Sequence, residues 1–372
     1  MIIAINARFL LPGKLEGIGW YTYEVVRRMA ARHPEDTFWL LFDRPYDESF
    51  RFGPNVHLKV VPPPARHPLL WLAWFEWSIP RVLRRIGADV FLSPDNYCSL
   101  RTATPTVLVV HDIAYAHFPE HIPWLSRQYY RYFVPRYIRR AERVITVSGF
   151  TREDLIHTLD VEPEKVRVAQ NGPRDVFRPL PNAEQQAVRN QFSGGKPYFL
   201  YIGAIHPRKN VHRLIRAFDR FKEQTGAPHQ LLLAGRWAWQ TGAVRSAYDS
   251  ARHRDAIRFL GYLDDETLAS VLGAAFALTY LSLWEGFGLP VLEALFAEVP
   301  VIYADATSLP EVAGAAGLAV DPLSEPSIAA ALQQLVENEK LGPGLVELGR
   351  QQRTHFSWDQ TAEVVYAALC EL

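Results

Sequence analysis

Glu285 and Glu293 flank two glycines and a proline in the stretch Trp284 to Glu293, WEGFGLPVLE. Pro290, with its fixed φ and missing N–H, suits the first position of a helix, and Gly286 and Gly288 let a ligand come close to the loop before it. The first N–H groups of such a helix lack intrahelical partners and carry the positive end of its dipole, so they attract an anion. Two carboxylates beside an anion site suit a polyhydroxylated ligand that carries phosphate. Ordinary αβ loops share this composition, and the stretch alone does not separate the two readings. Arg208 and Lys209, in GAIHPRKN, bring the complementary charge to a helix N-terminus at Asn210. Arginine there can grip phosphate through two parallel hydrogen bonds. His111 and Asp112 follow the apolar run Thr106 to Val110, TVLVV, at the strand end where open α/β sheets hold their ligands.

Positioning these groups requires strands that alternate with helices. In the first half, strands are expected at Ile2 to Ile5, Phe38 to Phe42, His57 to Val61, Val90 to Leu92, Thr106 to Val110, Val144 to Val147 and Val166 to Ala169. Gly13, Gly17 and Gly19 form a loop ahead of a helix from Trp20 to Arg32. Thr22 occupies the place of the third glycine of a dinucleotide fingerprint, which argues against a dehydrogenase. Trp71, Trp74 and Trp77, at helical spacing, read as core or as a surface for membrane or lipid-linked substrate. The arginine- and tyrosine-rich run from Trp124 to Val144 reads as helical, interrupted at Pro135, and suits either a solvated face or an anionic membrane. Thr151 is expected to cap the next helix. After Pro173 to Asn182, PRDVFRPLPN, which reads as a linker, a second alternation begins at Tyr198. Its strands are expected at Tyr198 to Ile202, Gln230 to Ala234, Ile257 to Leu260, Ala277 to Leu281, Val299 to Tyr303 and Leu318 to Val320. That alternation predicts two doubly wound parallel sheets.

The 372 residues suit two domains, and forty basic against forty acidic residues give no global field for nucleic acid. Two cysteines, Cys98 and Cys370, exclude a disulfide framework or thiolate metal cluster and favour a reducing compartment. The start, MIIAINARFL, is broken by Asn6 and Arg8 and reads as a buried strand instead of a signal peptide. No apolar run approaches the roughly 20 residues that span a bilayer, so the expectation is a cytoplasmic protein, at most peripheral on the inner membrane.

Taken in order, Gly17 and Gly19, His111 and Asp112 with Pro119 and Glu120, VITVSGFTREDL, the Asn171–Gly172 pair, GAIHPRKN, FLGYL, the Glu285/Glu293 pair and SLPEVAG resemble the retaining glycosyltransferases of family 4 (glycosyl transferases group 1). The likeness covers nearly the whole chain and is greatest to bacterial mannosyltransferase-like members that build surface polysaccharide. It implies a GT-B fold: two Rossmann-like domains facing across a cleft, here 1–178, completed by a helix within 357–372, and 179–356. It also implies transfer of a sugar from a nucleotide diphosphate sugar, GDP-mannose ahead of UDP-sugars, to a glycan or polyprenol-linked acceptor. The family pattern makes Arg208 and Lys209 the diphosphate clamp and Gly286, Phe287, Gly288 and Leu289 backbone donors, with Gly203 in the first loop of that half. Glu293 would accept from ribose and Glu285 from the donor sugar. His111 would lie near the reacting sugar with Asp112 on the acceptor side, Gly17 and Gly19 would leave room, and Gly261, Tyr262 and Leu263 would hold the base. No cofactor is implied, and the chain has no Asp-x-Asp pair, which agrees with a metal-independent clamp. A nucleotide-sugar epimerase or hydrolase on this fold, or a silent binding scaffold, are the rival readings.

Overall fold

The computed structural model describes residues 1–13 and 15–372. The chain divides into two units, Met1–Gly172 with Ser357–Leu372, and Pro173–Phe356. The proline-rich stretch thus opens the second unit, and the carboxyl-terminal helix Trp358–Cys370 lies in the first.

Among the described residues the first unit holds a parallel sheet of β1 (Ile2–Asn6), β2 (Thr37–Phe42), β3 (Val56–Val60), β4 (Val90–Ser93), β5 (Thr106–Val110), β6 (Arg143–Thr146) and β7 (Val166–Val168), in the order β3-β2-β1-β4-β5-β6-β7. The second holds β8 (Tyr198–Ile202), β9 (Gln230–Ala234), β10 (Ile257–Gly261), β11 (Ala277–Tyr280), β12 (Val301–Ala304) and β13 (Gly317–Val320), in the order β10-β9-β8-β11-β12-β13. Each sheet starts at its centre, winds outward one way, then returns to wind the other. This is the doubly wound arrangement, with a crevice at the carboxyl ends of β1 and β4 and another at those of β8 and β11. Strands β4, β5, β8, β9, β11 and β12 are buried along their whole length because helices cover both faces, so their sequences are runs of apolar residues without alternation.

Several local expectations change. The helix Trp124–Arg140 runs through Pro135, because Tyr129, Val134, Tyr137 and Ile138 are buried along it and that packing offsets the missing hydrogen bond. Ser148, not Thr151, caps the following helix Gly149–Leu159, its hydroxyl accepting from the Thr151 N–H. Strand β12 starts at Val301 because Val299 still donates to Ala294 and closes the preceding helix. The tryptophans divide. Trp74 is fully buried with its indole donating to Val61, and Trp71 packs among Tyr97, Tyr129 and Tyr130, whereas Trp77 is exposed under Arg101.

Candidate functional site

In the second unit the loops leaving β8 and β11 meet, because those strands are neighbours at the reversal of strand order. The backbone N–H of Leu283 donates to the Arg208 carbonyl at 2.8 Å, and the Arg208 guanidinium donates to the Trp284 carbonyl at 3.1 Å. Asn210, in the left-handed conformation at φ 60°, closes the turn Pro207–Lys209. Its amide donates to the carbonyls of Leu281 (3.2 Å) and Pro322 (2.7 Å). Arg208 and Lys209 are therefore held on backbone fixed at both ends.

Lys209 Nζ contacts the Glu285 carboxylate and donates to the Tyr280 hydroxyl at 2.8 Å, and that hydroxyl donates to Glu285 Oε1 at 3.0 Å. Burial alone would push the Glu285 carboxyl up. The charges of Lys209 and Arg208 and the hydrogen bond from Lys209 outweigh it and hold the carboxyl at about 2, so Glu285 is an anion at neutral pH. Both carboxylates were legible in the sequence, but Tyr280 was not: within an apolar strand it reads as core.

The loop that carries Glu285 is clamped from below by the segment after β12. Thr307 Oγ1 accepts from the Glu285 N–H at 3.2 Å, and Ser308 Oγ donates to the carbonyls of Glu285 (3.0 Å) and Phe287 (2.8 Å). Gly288, at φ +103°, turns the chain into the helix Leu289–Phe296, one residue before the expected start, and an added Cβ there would lie 2.5 Å from Leu309 Cδ2. The N–H groups of Phe287, Gly288 and Leu289 have no partner among the described residues, which leaves three donors at the positive end of that helix.

Glu293 is apart from this group. It is 2% exposed, and its Oε1 accepts from Arg174 Nε at 2.7 Å. Arg174 also reaches Asp265 at 2.5 Å. Burial pushes the Glu293 carboxyl up against the pull of Arg174. Gly203, at φ +144°, follows β8 and donates to Ala234. Gly261 ends β10 at φ +70°, Tyr262 after it is exposed, and Leu263 is half-buried.

In the first unit His111 follows β5, its N–H donating to Asn96 Oδ1 at 2.8 Å. His111 Nε2 lies 2.8 Å from the Pro94 carbonyl, which can only accept. The ring therefore carries its proton on Nε2 and leaves Nδ1 as an acceptor, and burial keeps it neutral by lowering its pKa. Asp112 caps the next turn, accepting from the Ala114 N–H. Gly17 and Gly19 lie in the first turn of the helix Gly17–Arg32 and not in a loop, and an added Cβ on Gly19 would come 2.7 Å from the Phe9 carbonyl. At the β1/β4 crevice sits a further polar set, outside the site residues expected from the sequence. Asn6 Nδ2 donates to Ser93 Oγ at 3.1 Å, and buried Arg8 pairs with Asp95 at 2.6 Å. The signal was present, since Asn6 and Arg8 are the polar residues that break the first apolar run.

The structure thus joins Lys209 with Glu285 and locks Arg208 to Trp284 within the second unit, and ties Glu293 to a partner from the proline-rich stretch. Comparison with known proteins follows the same division. The family model "Glycosyltransferase Family 4" matches residues 15–173, and "Glycosyl transferases group 1" matches 182–352. O-antigen chain mannosyltransferase B of Escherichia coli is 29% identical over 357 residues, 93% of each chain. O-antigen chain mannosyltransferase RfbU of Salmonella typhimurium is 25% identical over 328 residues, covering 86% of this chain and 87% of its own. The crystal structure of Anabaena HepE in complex with UDP and glucose superposes with a TM-score of 0.76 at 17% identity, over 100% of this chain and 99% of that one, a likeness of fold.

Proposed function

Since the chain belongs to the family 4 glycosyltransferases, with the group 1 match in its second unit, it is a glycosyltransferase of GT-B fold, and we propose that it transfers mannose from GDP-mannose, with retention and without a metal ion, to a polyprenol-linked or free glycan in surface-polysaccharide synthesis. UDP-sugars stand second as donors. The observation that carries this reading is the fixed cation pair Arg208 and Lys209 at the β8/β11 crevice, where the loop after β11 leads into a helix whose first N–H groups have no partner among the described residues. Glycosyl transfer needs a departing nucleotide diphosphate to be stabilised as its charge grows, and preorganised donors in a water-poor site do so most effectively. In this proposal Glu285 accepts from donor-sugar hydroxyls and Glu293 from ribose. His111 Nδ1 accepts from a hydroxyl of the reacting sugar, with Asp112 on the acceptor side. Gly17 and Gly19 leave room for ligand, Gly203 lets the diphosphate approach, and Gly261, Tyr262 and Leu263 hold the base. The departing phosphate takes the acceptor's proton.

A panel of nucleotide sugars tests the assignment. GDP-mannose is expected to raise the thermal midpoint, since a ligand at 100 times its Kd stabilises the native state by about 2.7 kcal/mol. With acceptor present, mass spectrometry is expected to find hexose added to the glycan. Donor consumption without acceptor would favour a hydrolase or epimerase, and no response to any donor would favour a silent scaffold.

We also propose that the first unit rests on anionic membrane. Trp71 rings join the helices Pro68–Ala73 and Trp124–Arg140, and these leave Leu69, Leu70, Trp124, Leu125 and Tyr132 exposed along with Arg131, Arg136 and Arg139. No helix among the described residues is long and apolar enough to cross a bilayer. Co-sedimentation with phosphatidylglycerol-containing vesicles is expected, and the Trp124→Ala/Leu125→Ala variant should bind several-fold more weakly. Equal recovery with phosphatidylcholine vesicles would dismiss the contact.

A further inference from the structure

The proline-rich stretch that reads as a linker delivers a buried arginine to the donor site. Arg174 comes from this stretch, yet its side chain is 12% exposed, lies 4.6 Å from the Phe177 ring centroid, and joins Glu293 on the helix Leu289–Phe296 to Asp265 at the start of the helix Asp265–Gly273. The bond to Glu293 is made at one oxygen, Oε1, at 2.7 Å. Glu293 Oε2 has no partner among the described residues, although the residue is almost wholly buried. A buried carboxylate with one oxygen fixed by a guanidinium and the other unpaired has a defined direction in which to accept hydroxyl protons. We infer that Arg174 is a positioning residue, one that holds Glu293 in place so that Oε2 accepts the ribose hydroxyls of a nucleoside diphosphate. This inference rests on the proposed sugar-nucleotide function and names a residue through which it works.

The arrangement has a charge logic beyond geometry. Burial and the Asp265 carboxylate both push Glu293 toward its neutral form, and Arg174 is the charge that opposes them. Arg350 and Arg353 attach to Glu298, beyond the far end of the same helix. Without Arg174, Glu293 would take up a proton at higher pH and lose both its orientation and its acceptor character as the pH falls. Lysine can supply charge but not the planar fork that reaches two carboxylates at once, so Arg174→Lys should restore only part of the effect.

Binding of GDP and UDP, each beside its 2′,3′-dideoxy analogue, is measured by titration calorimetry at pH 8 and pH 6 on the full chain. The unaltered protein should prefer one ribonucleotide over its dideoxy analogue by at least about tenfold, the order expected for a lost hydrogen bond to a charged group. Arg174→Met should bind the ribo and dideoxy forms within about twofold, more nearly equally at pH 6, while Arg174→Lys keeps an intermediate preference. Arg174→Gln serves where the Met variant does not fold. Retention of the full ribose preference in Arg174→Met or Arg174→Gln overturns the positioning role while leaving the sugar-nucleotide reading intact. A parent protein that binds neither diphosphate overturns that reading and this inference with it.

Discussion

Lys209→Ala is expected to lower the rate of sugar transfer by roughly 10²- to 10³-fold, the loss seen when one preorganised charge-stabilising donor is removed. The ammonium sits on a turn whose ends are fixed by Asn210 and by the backbone pairing of Arg208 with Leu283, so it does not have to reorganise as the diphosphate departs. Its contact with Glu285 and its 2.8 Å bond to Tyr280 set its direction. Because the contribution is made as charge develops, kcat should fall at least as much as kcat/KM, and donor KM should move less. Circular dichroism should stay native, since Arg208 also bears on the Glu285 carboxylate and limits the cost of leaving it without Lys209. Steady-state rates near those of the unaltered protein, in a folded variant, would remove Lys209 from the clamp.

The parts of this site that were legible in the sequence are those where a loop composition breaks an apolar run. Arg208 with Lys209, His111 with Asp112, and Gly286 with Gly288 each follow a short stretch of Val, Leu, Ile or aromatic residues, and each falls at a carboxyl strand end. Pairing between loops was not legible. Lys209 and Glu285 meet because β8 and β11 are adjacent in the sheet although two strands lie between them in the chain, a product of crossover topology that spacing does not encode. Tyr280 was hidden because a tyrosine in a buried strand has the same sequence signature whether its hydroxyl serves a neighbour or a distant site. Arg174 was hidden by its setting, as three prolines nearby signal a connector while the guanidinium is fixed by carboxylates from two helices. Pro135 misled in the opposite direction, because buried tyrosines on the same helix outweigh a single missing hydrogen bond.

Glu285→Gln is expected to destabilise the protein by about 3 kcal/mol at pH 7, from a carboxyl held at about 2 against an ordinary value of 4.5. The sign follows from linkage. A carboxyl depressed in the folded state contributes its stability in full above the unfolded value and loses it as pH falls toward the folded one. Glutamine resembles the protonated side chain, so the stability difference between the two proteins isolates the ionisation. That difference should hold steady from pH 7 to about 5.5, then shrink by roughly 1 to 1.5 kcal/mol on reaching pH 3.5. Urea unfolding of both proteins across this range measures it, with equal m-values confirming that the unfolded states match. A difference that stays flat down to pH 3.5 would mean that Glu285 is held by shape alone, and the charge pair with Lys209 would lose its place in the proposed chemistry. A difference that narrows as described would show that the second unit keeps a buried anion against its clamp cation before any ligand arrives, which is the preorganisation that transfer of a sugar from a diphosphate requires.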